Sequence, residues 1–170
     1  WNEPNTLGDQ GAFWKDRDRY ANLSRAARVD ACAADYVELV RITGETIRAV
    51  IPDAKIIAGS LSNGINICRY VRSLAKHRIG DYADIISYHP YGLVPEMGVE
   101  ARLEYLRHFL RREGAPMPVW QGEAGYASMA FPGYSMRSSE YTQAKYVVRR
   151  YLTDARMGNE VSSYFLVSDM

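Results

Sequence analysis

The chain has 170 residues, 47% of them hydrophobic and 24% charged, with a formal net charge of +1. That is the balance of a folded globular domain, or of part of one. With no basic block and no apolar run long enough to span a bilayer, it argues against nucleic acid or an anionic membrane as a partner and against membrane insertion.

Thirteen Tyr and three Trp against four Phe suit a polar cleft lined by rings with hydrogen-bonding tips, although cores use Tyr as well. Cys32 and Cys68 lack metal-ligand spacing and read as free, buried thiols, with a bridge between neighbouring helices as the alternative. The chain opens on Trp1 with no signal-peptide pattern. It therefore reads as a piece of a larger protein, and its compartment stays open, extracellular and periplasmic included.

In chain order, Trp1-Asn2-Glu3-Pro4-Asn5 reads as a strand end running into a rigid turn. Pro4 has no N–H and is expected to hold Glu3 in an extended backbone, with the carboxylate at the mouth of a cleft. Such a carboxylate suits general acid work if a second one faces it, and a capping turn if none does. From Thr6 to about Asp30 the sequence is polar and irregular and reads as a long loop with room for one helical turn. Phe13 and Trp14 inside it either stack on a ligand or anchor the loop.

Tyr36, Val37, Leu39, Val40, Thr43, Ile47, Val50 and Ile51 recur at helical spacing, closed by Pro52. Lys55 to Leu61 is a short β-branched run, a buried strand, followed by turn residues at Ser62-Asn63-Gly64. A second helix is predicted from Ile67 to about Ile79, with Tyr70, Val71, Leu74 and Ala75 inward. Ala83 to Ser87 is the next strand, leading into Tyr88-His89-Pro90-Tyr91. Val99 to Arg112 is a third helix, with Leu103, Leu106, Phe109 and Leu110 inward and Gly114 as its stop signal. Met117 to Gln121 is a strand that carries straight into Gly122-Glu123-Ala124-Gly125-Tyr126. Ser138 or Ser139 caps a fourth helix, whose inner face is expected to be Tyr141, Ala144, Val147, Val148, Tyr151 and Leu152. Val161 to Val167 is the last strand, ending in Ser168-Asp169.

Strict alternation of helices with buried strands predicts a parallel α/β fold. No Gly-rich phosphate loop follows any strand, which weakens a nucleotide-binding doubly wound sheet. Instead Glu3, His89, Tyr91, Glu123 and Asp169 each lie just after a strand, where a (β/α)8 TIM barrel keeps its active site. Glu3 and Glu123 are about three βα units apart and are expected to face each other across the mouth. Two such carboxylates can divide the work if one is protonated while the other is ionised. Tyr91 could hydrogen-bond a carboxylate, and His89 a substrate hydroxyl. Each of these residues also has a structural alternative: Glu123 as a barrel-interior carboxylate, His89 as a core histidine, Asp169 as a cap.

Trp1-Asn2-Glu3-Pro4-Asn5 resembles the acid/base motif at the end of the fourth strand in clan A glycoside hydrolases. His89-Pro90-Tyr91 matches the His-x-Tyr that ends the sixth strand of that clan. Trp120-Gln121-Gly122-Glu123-Ala124-Gly125 matches the stretch that carries the nucleophile after the seventh. The resemblance spans the whole chain, residues 1–170, as the C-terminal portion of the barrel from the end of strand four to strand eight. It implies that further βα units precede it. The loop with Phe13-Trp14 and the Tyr-x-x-x-Ser-Asp ending at Tyr164 to Asp169 look most like family 39, the β-xylosidase and α-iduronidase group.

The resemblance implies a retaining glycosidase that acts on plant or microbial poly- or oligosaccharide. Glu123 is then the nucleophile, Glu3 the acid/base, and Asn2 the contact to the sugar 2-hydroxyl. Sugar contacts are expected from His89, Tyr91, Trp14, Tyr126 and Asp169, with Phe131 and Tyr134 as further candidate platforms; Tyr126 and these two are equally loop anchors. The expected partner is a carbohydrate, with no metal or other cofactor. An endo-acting glucanase or mannanase of the same clan, and a barrel that binds carbohydrate without cleaving it, are the alternatives. A metal-dependent hydrolase would want more His and Asp at strand ends than His89 and Asp169 supply.

Overall fold

The structure, a computed structural model, describes residues 2–6, 20, 22–63, 67–128 and 139–165. Phe13, Trp14, Phe131, Tyr134 and Asp169 lie outside the described residues. Helix α1 runs Arg25–Val50 and strand β1 Ile57–Ser62. Helix α2, Ile67–Lys76, is followed by a 3-10 turn at Ile79–Asp81 and strand β2, Ile85–His89. Helix α3 is Val99–Arg112, strand β3 Val119–Ala124, helix α4 Glu140–Arg156 and strand β4 Ser162–Tyr164. The four strands form one sheet in the order β1-β2-β3-β4, every pair parallel. Each connection is a crossover through a helix, as parallel neighbours require.

The helices cover one face of that sheet. Tyr70, Leu74, Ile86, Leu103, Leu106 and Leu110 are almost wholly buried and belong to one apolar cluster between the helices and the sheet. Each such side chain contributes roughly 1.5–3 kcal/mol by leaving water. All five residues of β2 are buried, the polar Ser87 and His89 included.

Two expectations require correction. Residues 25 to 30 belong to α1 and not to a loop. Ser24 caps this helix, its Oγ accepting from the Ala27 N–H at 3.3 Å, and Val29, Cys32 and Ala33 continue the buried stripe of Tyr36, Val37 and Val40. The Ala- and Arg-rich start has good helix formers but few large apolar residues, so periodicity alone starts the helix too late. At its far end Thr43, Ile47, Val50 and Ile51 are exposed.

The second correction concerns α4. Within residues 1–170 Tyr141, Val148, Tyr151 and Leu152 are exposed, and the buried residues are Arg150, Thr153 and Asp154. Arg150 and Asp154 form a bidentate pair at 2.8 and 2.5 Å. Asp154 also accepts from Ser162 Oγ at 2.6 Å and Asn159 Nδ2 at 3.0 Å. A charge pair with every oxygen occupied can be buried where a lone charge cannot. It docks α4 against the start of β4. Cys32 is buried, Cys68 is half-buried, and neither is in a disulfide.

Candidate active site

The site sits at the C-terminal ends of the strands, where Glu3, His89, Tyr91 and Glu123 meet. His89 closes β2 and is buried to 3% exposure. Its Nδ1 lies 3.2 Å from Glu3 Oε1 and 3.7 Å from Glu123 Oε2. With its proton on Nδ1, the ring donates to Glu3 and stands within a longer contact of Glu123. The Tyr91 hydroxyl donates to Glu123 Oε1 at 2.5 Å. The two carboxylates, 30% and 24% exposed, thus converge on a single imidazole nitrogen and keep part of their surface open.

Local backbone explains how each group arrives. The Tyr91 N–H returns to the His89 carbonyl at 3.0 Å, a three-residue turn centred on Pro90. The Tyr91 carbonyl accepts from Asn63 Nδ2 at 2.9 Å and Arg102 Nη1 at 3.4 Å, which ties this turn to the ends of β1 and α3. On β3, Gly122 is required by its neighbour across the sheet. A Cβ there would lie 2.0 Å from Ser87 Oγ and 3.7 Å from His89 Cδ2. The missing side chain lets β2 place Ser87 and His89 beneath Glu123. Gln121, fully buried, accepts from the Ser163 N–H at 2.5 Å and lies 3.0 Å from Ser162 Oγ, bridging the irregular β3–β4 register.

Glu3 does not have the extended backbone expected before Pro4. Its φ is 50°, in the left-handed region. Its N–H donates to the Ser60 carbonyl and its own carbonyl accepts from the Thr6 N–H, both at 3.0 Å, so Glu3 opens a turn with Pro4 as the second residue. Pro4 and Asn5 are buried, and Asn2 is exposed beside them. Asn5 escaped attention in the sequence. Its carboxamide donates to the Ser62 carbonyl and accepts from the Ser62 N–H, both at 2.8 Å. An amide beside a catalytic-looking Glu was the available signal, but nothing local says that it pairs with a strand.

Tyr126 lies on the far side of β3. Its ring meets Tyr146 edge-on, with centroids 4.9 Å apart, and its carbonyl accepts from Gln143 Nε2 at 2.7 Å and the Tyr164 hydroxyl at 3.3 Å. Of its two expected roles, these contacts are those of a loop anchor. Among the described residues no three His, Cys, Asp or Glu side chains have the arrangement of a metal site. No helix among them is long and apolar enough to cross a membrane.

No family model matches the sequence, and no curated protein matches it. Solved structures do match the fold. A GH39 β-xylosidase from Caulobacter crescentus superimposes with a TM-score of 0.62 at 22% identity, over 99% of this chain and 32% of that one. The GH39 enzyme from Xanthomonas axonopodis pv. citri gives 0.56 at 19% identity, over 96% and 31%. An exo-β-agarase gives 0.53 at 16% identity, over 82% and 17%. The chain therefore spans about a third of the length of the two GH39 structures. It has a GH39-like α/β fold, a parallel four-stranded sheet consistent with part of a (β/α)8 barrel.

Proposed function

We propose that residues 1–170 are the C-terminal part of a (β/α)8 catalytic domain that hydrolyses O-glycosidic bonds with retention of configuration. The observation that carries this reading is the convergence of Glu3 and Glu123 on His89 Nδ1 at the C-terminal end of the sheet. Two carboxylates facing one cleft are what a double displacement needs, with a separation of about 5–5.5 Å typical of retaining enzymes.

In the first step Glu123 attacks the anomeric carbon and forms a glycosyl ester, while the proton on Glu3 passes to the departing glycosidic oxygen. In the second, Glu3 takes a proton from water. The water oxygen bonds to the anomeric carbon, and the Glu123 ester breaks. The Tyr91 hydroxyl, on Glu123 Oε1, orients the nucleophile and leaves Oε2 for attack. His89, on Glu3 Oε1, leaves Oε2 to carry the proton. Asn2, exposed beside Glu3, takes the sugar 2-hydroxyl, and Trp14 and Asp169 are further proposed sugar contacts. The substrate is a carbohydrate of plant or microbial origin, and the fold likeness to a β-xylosidase and an exo-β-agarase makes β-xylosides and agarose fragments the first panel to try.

The test is to incubate the protein carrying the whole barrel with a panel of activated 2-fluoro glycosides and map the label by peptide mass. Label on Glu123, absent in Glu123→Gln, is expected. A folded protein that binds glycans yet takes no label from any sugar would overturn hydrolysis in favour of a non-catalytic carbohydrate-binding barrel.

A further inference from the structure

Three residues other than glycine have positive φ among the described residues, and two of them touch each other. Glu3, at φ 50°, donates its N–H to the carbonyl of Ser60, at φ 46°. Left-handed backbone is costly for residues with a Cβ and persists only where surrounding contacts over-determine it. Here the contacts come from three directions. Gly59, at φ 105°, breaks the β1–β2 register between Ala58 and Leu61 and turns Ser60 toward Glu3. Its backbone is seated so closely on β2 that an added Cβ would lie 2.6 Å from the Ser87 carbonyl. Its N–H, which the bulge leaves without a strand partner, donates to the buried Tyr36 hydroxyl of α1 at 2.7 Å. From the other side, Asn5, 1% exposed, clasps the Ser62 backbone through both ends of its carboxamide.

We propose that Tyr36 and Asn5 are positioning residues for the Glu3 carboxyl, acting through the Gly59–Ser60 bulge that they brace from either side. This rests on the reading of Glu3 as the acid/base. The bulge and the Asn5 clasp hold the backbone of Glu3, and His89 holds its carboxylate. Neither Tyr36 nor Asn5 has to touch substrate. Each removes a direction in which the Glu3 turn could relax toward an unstrained φ and carry the carboxyl away from the leaving oxygen. Glu123 sits on β3 and is held by Tyr91, so the device acts on one carboxylate and not the other.

That asymmetry supplies the test. An acid matters when the leaving group needs a proton and hardly at all when it leaves as a stable anion. Tyr36→Phe and Asn5→Asp, the second nearly isosteric in case the first folds poorly, are to be assayed in the whole-barrel protein. The substrates are one glycoside with a sugar or alkyl leaving group and one with a 2,4-dinitrophenyl leaving group, and Glu3→Gln is the reference. The expected result is a fall in kcat/KM of roughly 10- to 100-fold on the poor leaving group, the cost of a misplaced catalytic group. On the activated substrate the formation of the glycosyl-enzyme should change less than about threefold, since that step then needs little acid. An equal loss on both substrates, or no loss on either, would overturn the positioning role. If Glu3→Gln splits the two substrates and neither variant does, only this inference fails. If Glu3→Gln shows no split, the acid/base reading fails and takes the inference with it.

Discussion

The two ends of β2 show how the same residue types can be put to opposite uses. Asp84, just before the strand, accepts from the Ile56 N–H and from Arg48, each at 2.8 Å, with Lys55 at 3.6 Å. The Ile56 N–H, with Arg48 and Lys55 behind it, holds the Asp84 carboxyl below its ordinary pKa. At the other end, His89 stands between Glu3 and Glu123. Among the described residues no Arg or Lys pairs with either glutamate; their partners are an imidazole and a phenol. A carboxylate saturated by cations and a backbone donor is a staple between α1, β1 and β2. One met only by His and Tyr keeps lone pairs for a ligand. In a barrel the N-terminal end of the sheet serves stability and the C-terminal end chemistry; Asp84 precedes the first end of β2 and His89 closes the second.

The contrast breaks first, and most, at Glu3. Glu3→Gln should lower turnover on unactivated glycosides by about 10²- to 10⁴-fold. The melting temperature should stay the same or rise, because the substitution removes one of two carboxylates that face the same imidazole nitrogen. A melting temperature that falls in step with activity would make Glu3 a structural residue like Asp84. The buried pair on α4 is expected to behave in the opposite way. Asp154→Ala strands the Arg150 guanidinium in a site of 1% exposure and should cost roughly 3–5 kcal/mol in denaturant unfolding. A loss near zero would mean that water reaches Arg150.

Smallest is the effect at Asp84, where partial exposure screens the charges. Asp84→Ala should cost roughly 1–2 kcal/mol at neutral pH without changing turnover per folded molecule. Since the folded-state pKa is depressed, that contribution is complete above the ordinary carboxylate value of about 4 and is lost as pH falls through the lower folded value. The stability gap between wild type and Asp84→Ala should therefore close in acid. A gap that persists at pH 2 would assign the effect to geometry and not to charge.

Helix α3 was legible residue for residue, because Leu103, Leu106, Phe109 and Leu110 repeat at helical spacing and Gly114 stops the run. Helix α4 was legible as a helix but not as to its buried face. An Arg and an Asp four apart read as a solvated pair, and only the arrival of Ser162 and Asn159 makes them buriable.

The sequence by itself determined the order of strands and helices, the parallel sheet, and the presence of His89, Tyr91 and Glu123 at or just past strand ends. Those properties follow from periodicity, β-branching and turn residues, which are local. Tertiary structure alone decided that His89 reaches both glutamates and that Gly122 makes room for Ser87. It also decided that Glu3 takes a left-handed backbone against the bulge at Ser60. These depend on which atom of one strand faces which atom of the next, and so on sheet register and the bulge at Gly59, which no single stretch of the chain encodes.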